Sequence, residues 1–192
     1  DCISKEECWA TGHDATILHT NDSGKTWIKQ YEDIDFDAPL LSIHMFDNGE
    51  GIAIGAFALS LRTTDGGNSW GYLFMDDDDF QPHFNYAYGD SQAWRKSSAN
   101  EAYAVGEIGK YYISDDKGLN WLVVSTGYDG SYWSGIKVDE GQSLLLGMSG
   151  NITLATLYDL NDTIPPGKET AVACYESGYY RGDCKVYAFD NL

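Results

Sequence analysis

Basic residues are scarce in this chain. Twelve lysines and arginines stand against 30 aspartates and glutamates, giving a formal charge of −18 over 192 residues. A surface of that sign repels phosphate backbones and anionic headgroups, which argues against nucleic acid and favours cations or basic proteins as partners. Acidity is also a plain solubility device. Arginine is rarer still, with Arg62, Arg95 and Arg181 the whole supply. Long apolar runs are missing too. The most apolar stretch, "GIAIGAFALSL" (Gly51–Leu61), is too short for a membrane span and is broken by Gly and Ser. No segment repeats apolar residues at i, i+3, i+4 and i+7 over three turns, so a helical solenoid is disfavoured. The single G-x-S-x-G match, Gly67–Gly71, falls in a Gly-rich turn stretch, and there is no phosphate-binding glycine loop and no C-x-x-C. The histidines His13, His19, His44 and His83 have no local partner pattern. Serine or cysteine hydrolase chemistry, nucleotide binding and a zinc site all lack support.

What the chain has is aromatic residues and glycine: 14 Tyr, 7 Phe, 6 Trp and 21 Gly, within a hydrophobic fraction of 43%. That composition supports a real core built from short strands and tight turns, as one domain or a compact repeat array. The four cysteines form two local pairs, Cys2/Cys8 and Cys174/Cys184. Their even number in an acidic, tyrosine-rich chain favours disulfides and an oxidising compartment. The sequence opens at Asp1, as a processed secreted chain or a trimmed one would. Sequons at Asn21, Asn151 and Asn161 are glycosylation candidates consistent with an extracellular or periplasmic location.

Four segments share one grammar: "CWATGHDATILHTNDSGKTW", "GIAIGAFALSLRTTDGGNSW", "AYAVGEIGKYYISDDKGLNW" and "LLLGMSGNITLATLYDLND". Each starts with a small, apolar strand ending in glycine (Gly12, Gly55, Gly106, Gly147), at periods of 43, 51 and 41. In the first three a tryptophan follows 15 residues later: Trp27, Trp70, Trp121. Strand-like periods near 40–50 predict an all-β, propeller-like array of about four four-stranded blades. The repeats are expected near 2–30, 40–73, 84–124 and 132–163, with 164–192 as a C-terminal closure hairpin in a single domain.

In a turn between two strands of the first three units runs Ser/Thr-x-Asp-x-Gly-x-Thr/Ser/Asn-Trp: Thr20/Asp22/Gly24/Trp27, Thr63/Asp65/Gly67/Trp70 and Ser114/Asp116/Gly118/Trp121. A hairpin turn leaves backbone N–H groups without ladder partners, and a short carboxylate or hydroxyl can accept them. Glycine supplies positive φ. The tryptophan is expected to fold under the turn and bury its ring as a plug, a structural rather than catalytic role.

This pattern resembles the Asp-box (BNR) repeat of β-propellers, over about Cys2–Asp162. The fourth unit departs from it: "ATLYDLND" (Ala155–Asp162) has neither the Gly nor the Trp. Within Asp-box proteins the unit is most similar to the non-enzymatic photosystem II assembly factor-like group. The resemblance implies a Cys2–Cys8 bridge before the first strand and a second closed hairpin at Cys174–Cys184. The Arg181-Gly182-Asp183 tripeptide within that hairpin reads as an ordinary turn.

A sialidase-like relative would need three converging arginines. Arg62 adjoins a box and Arg181 lies in the cysteine hairpin, so that convergence fails on the count. Hydrolysis by two carboxylates is not excluded by number, but no sequence feature nominates the pair. The remaining candidates are binding residues. Asp76, Asp77, Asp78 and Asp79 form an acidic run without the glycine of a calcium loop, and Tyr132 and Trp133 sit in an aromatic stretch read as a loop. The reading is a non-catalytic extracytoplasmic module that binds a protein partner or its own copies, with no cofactor and no metal. The alternative is a carbohydrate-active propeller, lectin or hydrolase.

Overall fold

Alternating small and large apolar residues, punctuated by glycine, produce four antiparallel sheets in chain order. The structure, a computed structural model, describes residues 1–75, 81–89, 100–158, 162–174 and 184–192. The first sheet holds β1 (Cys8–Thr11), β2 (Ile17–Thr20) and β3 (Ile28–Tyr31). The second holds β4 (Leu40–Met45), β5 (Gly51–Gly55), β6 (Ser60–Thr63) and β7 (Gly71–Tyr72). The third holds β8 (Phe84–Gly89), β9 (Ala102–Gly106), β10 (Lys110–Ser114) and β11 (Leu122–Ser125). The fourth begins with β12 (Tyr132–Asp139), β13 (Gln142–Gly147) and β14 (Ile152–Tyr158), then takes β15 (Glu169–Cys174) and β16 (Cys184–Asn191). Its order is β12-β13-β14-β16-β15, so the C-terminal hairpin completes this sheet instead of standing apart from it. The chain is all-β in repeated blades, with three, four, four and five strands rather than a uniform four.

Each sheet has two faces of different grain. Toward the preceding sheet it turns small or flat positions: Ala53 and Leu61 in the second sheet, Ala104 and Tyr112 in the third, all fully buried. Toward the following sheet it turns bulk: Trp9 and Ile17, then Ile52 and Ile54, then Tyr103, Val105, Tyr111 and Ile113. Bulk against small gives three interdigitated cores, one per joint, which is how close packing is reached without voids. Polar clasps supplement them. The Gln30 side chain accepts from Trp9 Nε1 (3.0 Å) and donates to the Gly66 carbonyl (3.0 Å), tying the first sheet to the second.

The third joint is built from tyrosines. Tyr88, Tyr103 and Tyr111 stack with centroids 5.3 and 6.0 Å apart, and Tyr187 meets Tyr111 edge-on. Burial pushes the hydroxyl pKa of all four upward. The buried Lys137 ammonium reaches from β12 to Glu101 and to the Tyr103 hydroxyl (3.1 Å), so the charge crosses the joint already paired.

Candidate functional site

The three boxes are near-copies. In the first, Thr20 Oγ1 donates to Asp22 Oδ1 (2.8 Å) and accepts the Gly24 N–H (3.0 Å). Asp22 also accepts the Thr26 N–H (2.9 Å) and hydroxyl (2.7 Å). Thr63, Asp65, Gly67 and Ser69 repeat this set, as do Ser114, Asp116, Gly118 and Asn120. Hydrogen bonds from Thr26 and Thr20 hold the Asp22 carboxyl down at about 2, and Asp65 is lowered in the same way by Ser69. These acids are spent on their turns.

The tryptophans behave differently from one another. Trp70 packs on the core of the first joint and Trp121 on that of the second, each filling the seam between its own turn and the sheet before it. All three are expected to be buried, but Trp70 and Trp121 are only partly buried and Trp27 is 43% exposed. Its box belongs to the first sheet, and among the described residues no other sheet packs beneath it. The plug is therefore a joint-filler, not a filler of its own hairpin.

At the box end, Arg62 donates to Glu50 (2.5 Å) and to the Lys117 carbonyl (3.3 Å), which occupies its guanidinium structurally. Cys2 and Cys8 are disulfide-bonded. Cys174 and Cys184 are directly opposed in the β15–β16 register; their side chains lie outside the described residues. So do Asp76, Asp77, Asp78, Asp79, Asn161, Arg95 and Arg181. Asn21 is exposed in the first box turn, and Asn151 accepts from the Thr153 hydroxyl (3.2 Å).

The opposite end of the array is apolar, and two repeated backbone devices make it so. First, β4, β8 and β12 each carry a bulge at the same place, adding Leu41, Asn85 and Trp133 as the extra residue. Asn85 is buried and donates to the Tyr132 carbonyl (2.8 Å). Leu41 and Trp133 project outward, Trp133 with 55% of its surface exposed. Tyr132, expected beside it on a binding loop, is instead fully buried in β12, its hydroxyl donating to Thr153 (2.9 Å). The bulge separates the fates of the two neighbours.

Second, the hairpin turn after each strand-ending glycine places two successive residues at positive φ: Asp14/Ala15, Phe57/Ala58, Ile108/Gly109 and Ser149/Gly150. Such turns match the twist of a hairpin and normally take Asn, Asp or Gly. Phe57 (φ 55°) and Ile108 (φ 54°) are costly there, by roughly 1–3 kcal/mol each. Hydrogen bonds from Ala58 to Pro82 and from Gly109 to Gly130 fasten these turns to the segments entering the next sheet. Phe57 and Ile108 remain 53% and 45% exposed. Together with Leu41, Trp133 and exposed Met148 they form an apolar rim. The turn and entry segments around it carry Asp14, Asp37, Glu107 and Asp129 against one lysine, Lys110, whose N–H closes the Ile108/Gly109 turn on the Glu107 carbonyl. Polar residues are the usual content of such turns, so an aromatic or β-branched residue between the strand-ending glycine and the next strand was the available signal for this rim.

Among the described residues no helix is long and apolar enough to cross a membrane. The photosystem II stability/assembly factor HCF136 of Arabidopsis thaliana is 28% identical, with 72% of this chain and 38% of that protein covered. Its rice (Oryza sativa subsp. japonica) counterpart gives 28%, 72% and 37%. The solved structure of YCF48 bound to D1 peptide superposes with a TM-score of 0.61 at 23% identity, covering 84% of this chain and 49% of that one. YCF48 from Cyanidioschyzon merolae gives 0.56 at 22%, covering 80% and 51%. An ancestral GH74 enzyme shares the fold at 0.52 and 14% identity, covering 83% and 30%. The chain thus spans about two-fifths to half the length of the assembly-factor relatives it matches. The family model for photosynthesis system II assembly factor YCF48 matches residues 1–156, and the chain belongs to that family.

Proposed function

We propose that this chain is a non-catalytic, protein-binding assembly module acting in an extracytoplasmic compartment, and that its partner surface is the apolar rim. One observation carries the reading: Phe57 and Ile108 are held in a costly conformation with their side chains half in water. A fold has no use for that arrangement unless something covers those side chains. A related protein has been solved with a peptide bound, which supports a polypeptide as the occupant. Acidic side chains around an apolar strip suit a segment that alternates basic and apolar residues, with the Asp76–Asp79 run adding long-range attraction. The Cys2–Cys8 bond and the chloroplastic relatives support an oxidising compartment outside the cytosol.

The test is capture of partners from the native extracytoplasmic milieu by the wild type and by a Phe57→Ser/Trp133→Ser variant. Both positions are exposed, so the variant keeps its fold. Loss of the captured protein is expected, and association with the wild type should slow as salt rises. Equal capture by the variant moves the interface elsewhere. Turnover of a polysaccharide by the purified chain overturns the non-catalytic reading.

A further inference from the structure

The third joint differs from the other two in chemistry as well as in bulk. The first is packed largely by aliphatic side chains around Trp9. In the second, Phe84 and Tyr112 meet edge-on as a single aromatic pair. In the third, Tyr86, Tyr88, Tyr103 and Tyr111 stack in succession, with centroids 6.0, 5.3 and 6.0 Å apart. Tyr86 is 37% exposed, whereas Tyr88, Tyr103 and Tyr111 are buried. The row runs from water into the core of the joint.

Along this row the hydroxyls are served differently. The Tyr88 hydroxyl is buried with no partner among the described residues, and Tyr111 donates to the Ser143 hydroxyl (3.1 Å). Among the described residues only Tyr103 of this row donates to a carboxylate, Glu101 Oε2 at 2.6 Å, the distance of a charge-assisted bond. Glu101 is held in turn by Lys137, and its side chain keeps 27% of its surface in water. Packing accounts for the rings but not for this acid. Serine suffices for a buried hydroxyl, as at Tyr111, and an apolar pair of similar volume often stabilises as well as a buried ion pair. What Glu101 adds is a base touching one phenol, with a route to water. That matters for oxidation, because a phenol gives up an electron readily only when its proton leaves as well.

We propose that this row carries one-electron oxidising equivalents inward from the surface and stores them on Tyr103, with Glu101 as the proton acceptor. A radical-class one-electron oxidant takes an electron from Tyr86, whose proton passes to water. An electron then moves outward from Tyr103 across the Tyr88 ring, and Tyr86 regains its electron and its proton. Tyr88 has no acceptor for its own proton and so cannot hold the oxidised state. The Tyr103 O–H bond breaks, its proton goes to Glu101 Oε2 and on to water, and a neutral Tyr103 radical remains. In sum, Tyr103 loses one electron and one proton, and the oxidant gains the electron. A thiol- or ascorbate-class reductant returns the electron, and a proton re-enters through Glu101. Oxidising equivalents stored there are kept off surface side chains such as Trp133, which is 55% exposed. This role needs no partner and stands or falls apart from the rim's binding.

The experiment exposes the chain to azide radicals from pulse radiolysis, an uncharged oxidant that a surface of charge −18 does not repel. Freeze-quench electron paramagnetic resonance reads the radical, and peptide mass spectrometry reads oxygenated Trp133. The wild type should hold a long-lived neutral tyrosyl radical that forms more slowly in heavy water. Tyr103→Phe keeps the ring and drops the hydroxyl, so it should lose that signal and gain oxygenated Trp133. Tyr111→Phe, the same change one ring further in, should keep the signal. Glu101→Gln keeps a hydrogen-bond acceptor but no base, and should lose both the long life and the heavy-water effect. Far-ultraviolet spectra and urea midpoints check folding; if an unpaired Lys137 unfolds Glu101→Gln, the two phenylalanine variants decide. A wild type without a long-lived tyrosyl radical overturns the proposal. So does a radical that survives in Tyr103→Phe or vanishes equally in Tyr111→Phe. Loss of the radical with no rise at Trp133 overturns the protective role.

Discussion

The first and third boxes have the same hydrogen bonds and different tryptophans. Asp22 and Asp116 each accept from the residue four positions on, and Thr20 and Ser114 each accept a glycine N–H. Beneath the third box lies Ile52 of the second sheet, and Trp121 is wedged there with its Nε1 donating to the Gly118 carbonyl (3.0 Å). Beneath the first box lies no sheet among the described residues. The turn is thus a self-contained hydrogen-bonded unit, whereas the value of the tryptophan is set by its neighbour. Motif and burial are separable.

Trp121→Ala should break this comparison most visibly. Losing a ring wedged in a joint costs about 3 kcal/mol, while Trp27→Ala, at an exposed site, should cost under about 1 kcal/mol. Urea melts of both read the difference, and equal losses would mean that the ring serves only its own turn. Gly118→Ala comes next. Both Gly24 and Gly118 sit at positive φ, worth about 1–2 kcal/mol of strain for alanine, but only Gly118 adds a clash with Ile52. The Gly118 variant should therefore lose more than Gly24→Ala.

Acid sharpens the same contrast through its order of events. Desolvation lowers the His44 pKa to about 4, so the unfolded chain takes up its proton first, near 6.5. Stability from neutral His44 is complete above 6.5 and is lost as pH falls toward 4. Asp22, held near 2, contributes above its ordinary 3.8 and loses that contribution as pH falls through about 2. Urea midpoints should fall in two stages, with Asp22→Asn flattening only the lower one. Smallest of all is Phe57→Gly, which relieves positive-φ strain at an exposed turn and should leave the melting midpoint unchanged or slightly raised.

The repeat and its boxes were legible because their signal is local: a fixed offset of 15 residues from glycine to tryptophan and a carboxylate in each turn. The exposure of Trp27 was not, since it depends on what packs beneath the turn. Tyr132 and Trp133 looked alike as neighbouring aromatics, and only the bulge sends one to the core and the other to water. Phe57 and Ile108 were hidden for another reason. In "GAFALS" and "GEIGKYY" an apolar residue near a strand reads as part of that strand, and hydrophobic pattern carries no information about the sign of φ. The fourth sheet borrowed its outer strands from the C-terminal hairpin, a long-range pairing that no repeat period encodes.

The tyrosine stack of the third joint has an optical consequence. Tyr88, Tyr103 and Tyr111 lie nearly parallel, with interplanar angles of 20° and 8°, in a rigid, chiral and water-free setting. Aromatic transitions held so close couple, and fixed packing is what gives a protein near-ultraviolet circular dichroism. The seam between the third and fourth sheets therefore carries its own chromophore. A change in that band while the far-ultraviolet spectrum holds would report that seam slipping before any strand has melted, with no label attached.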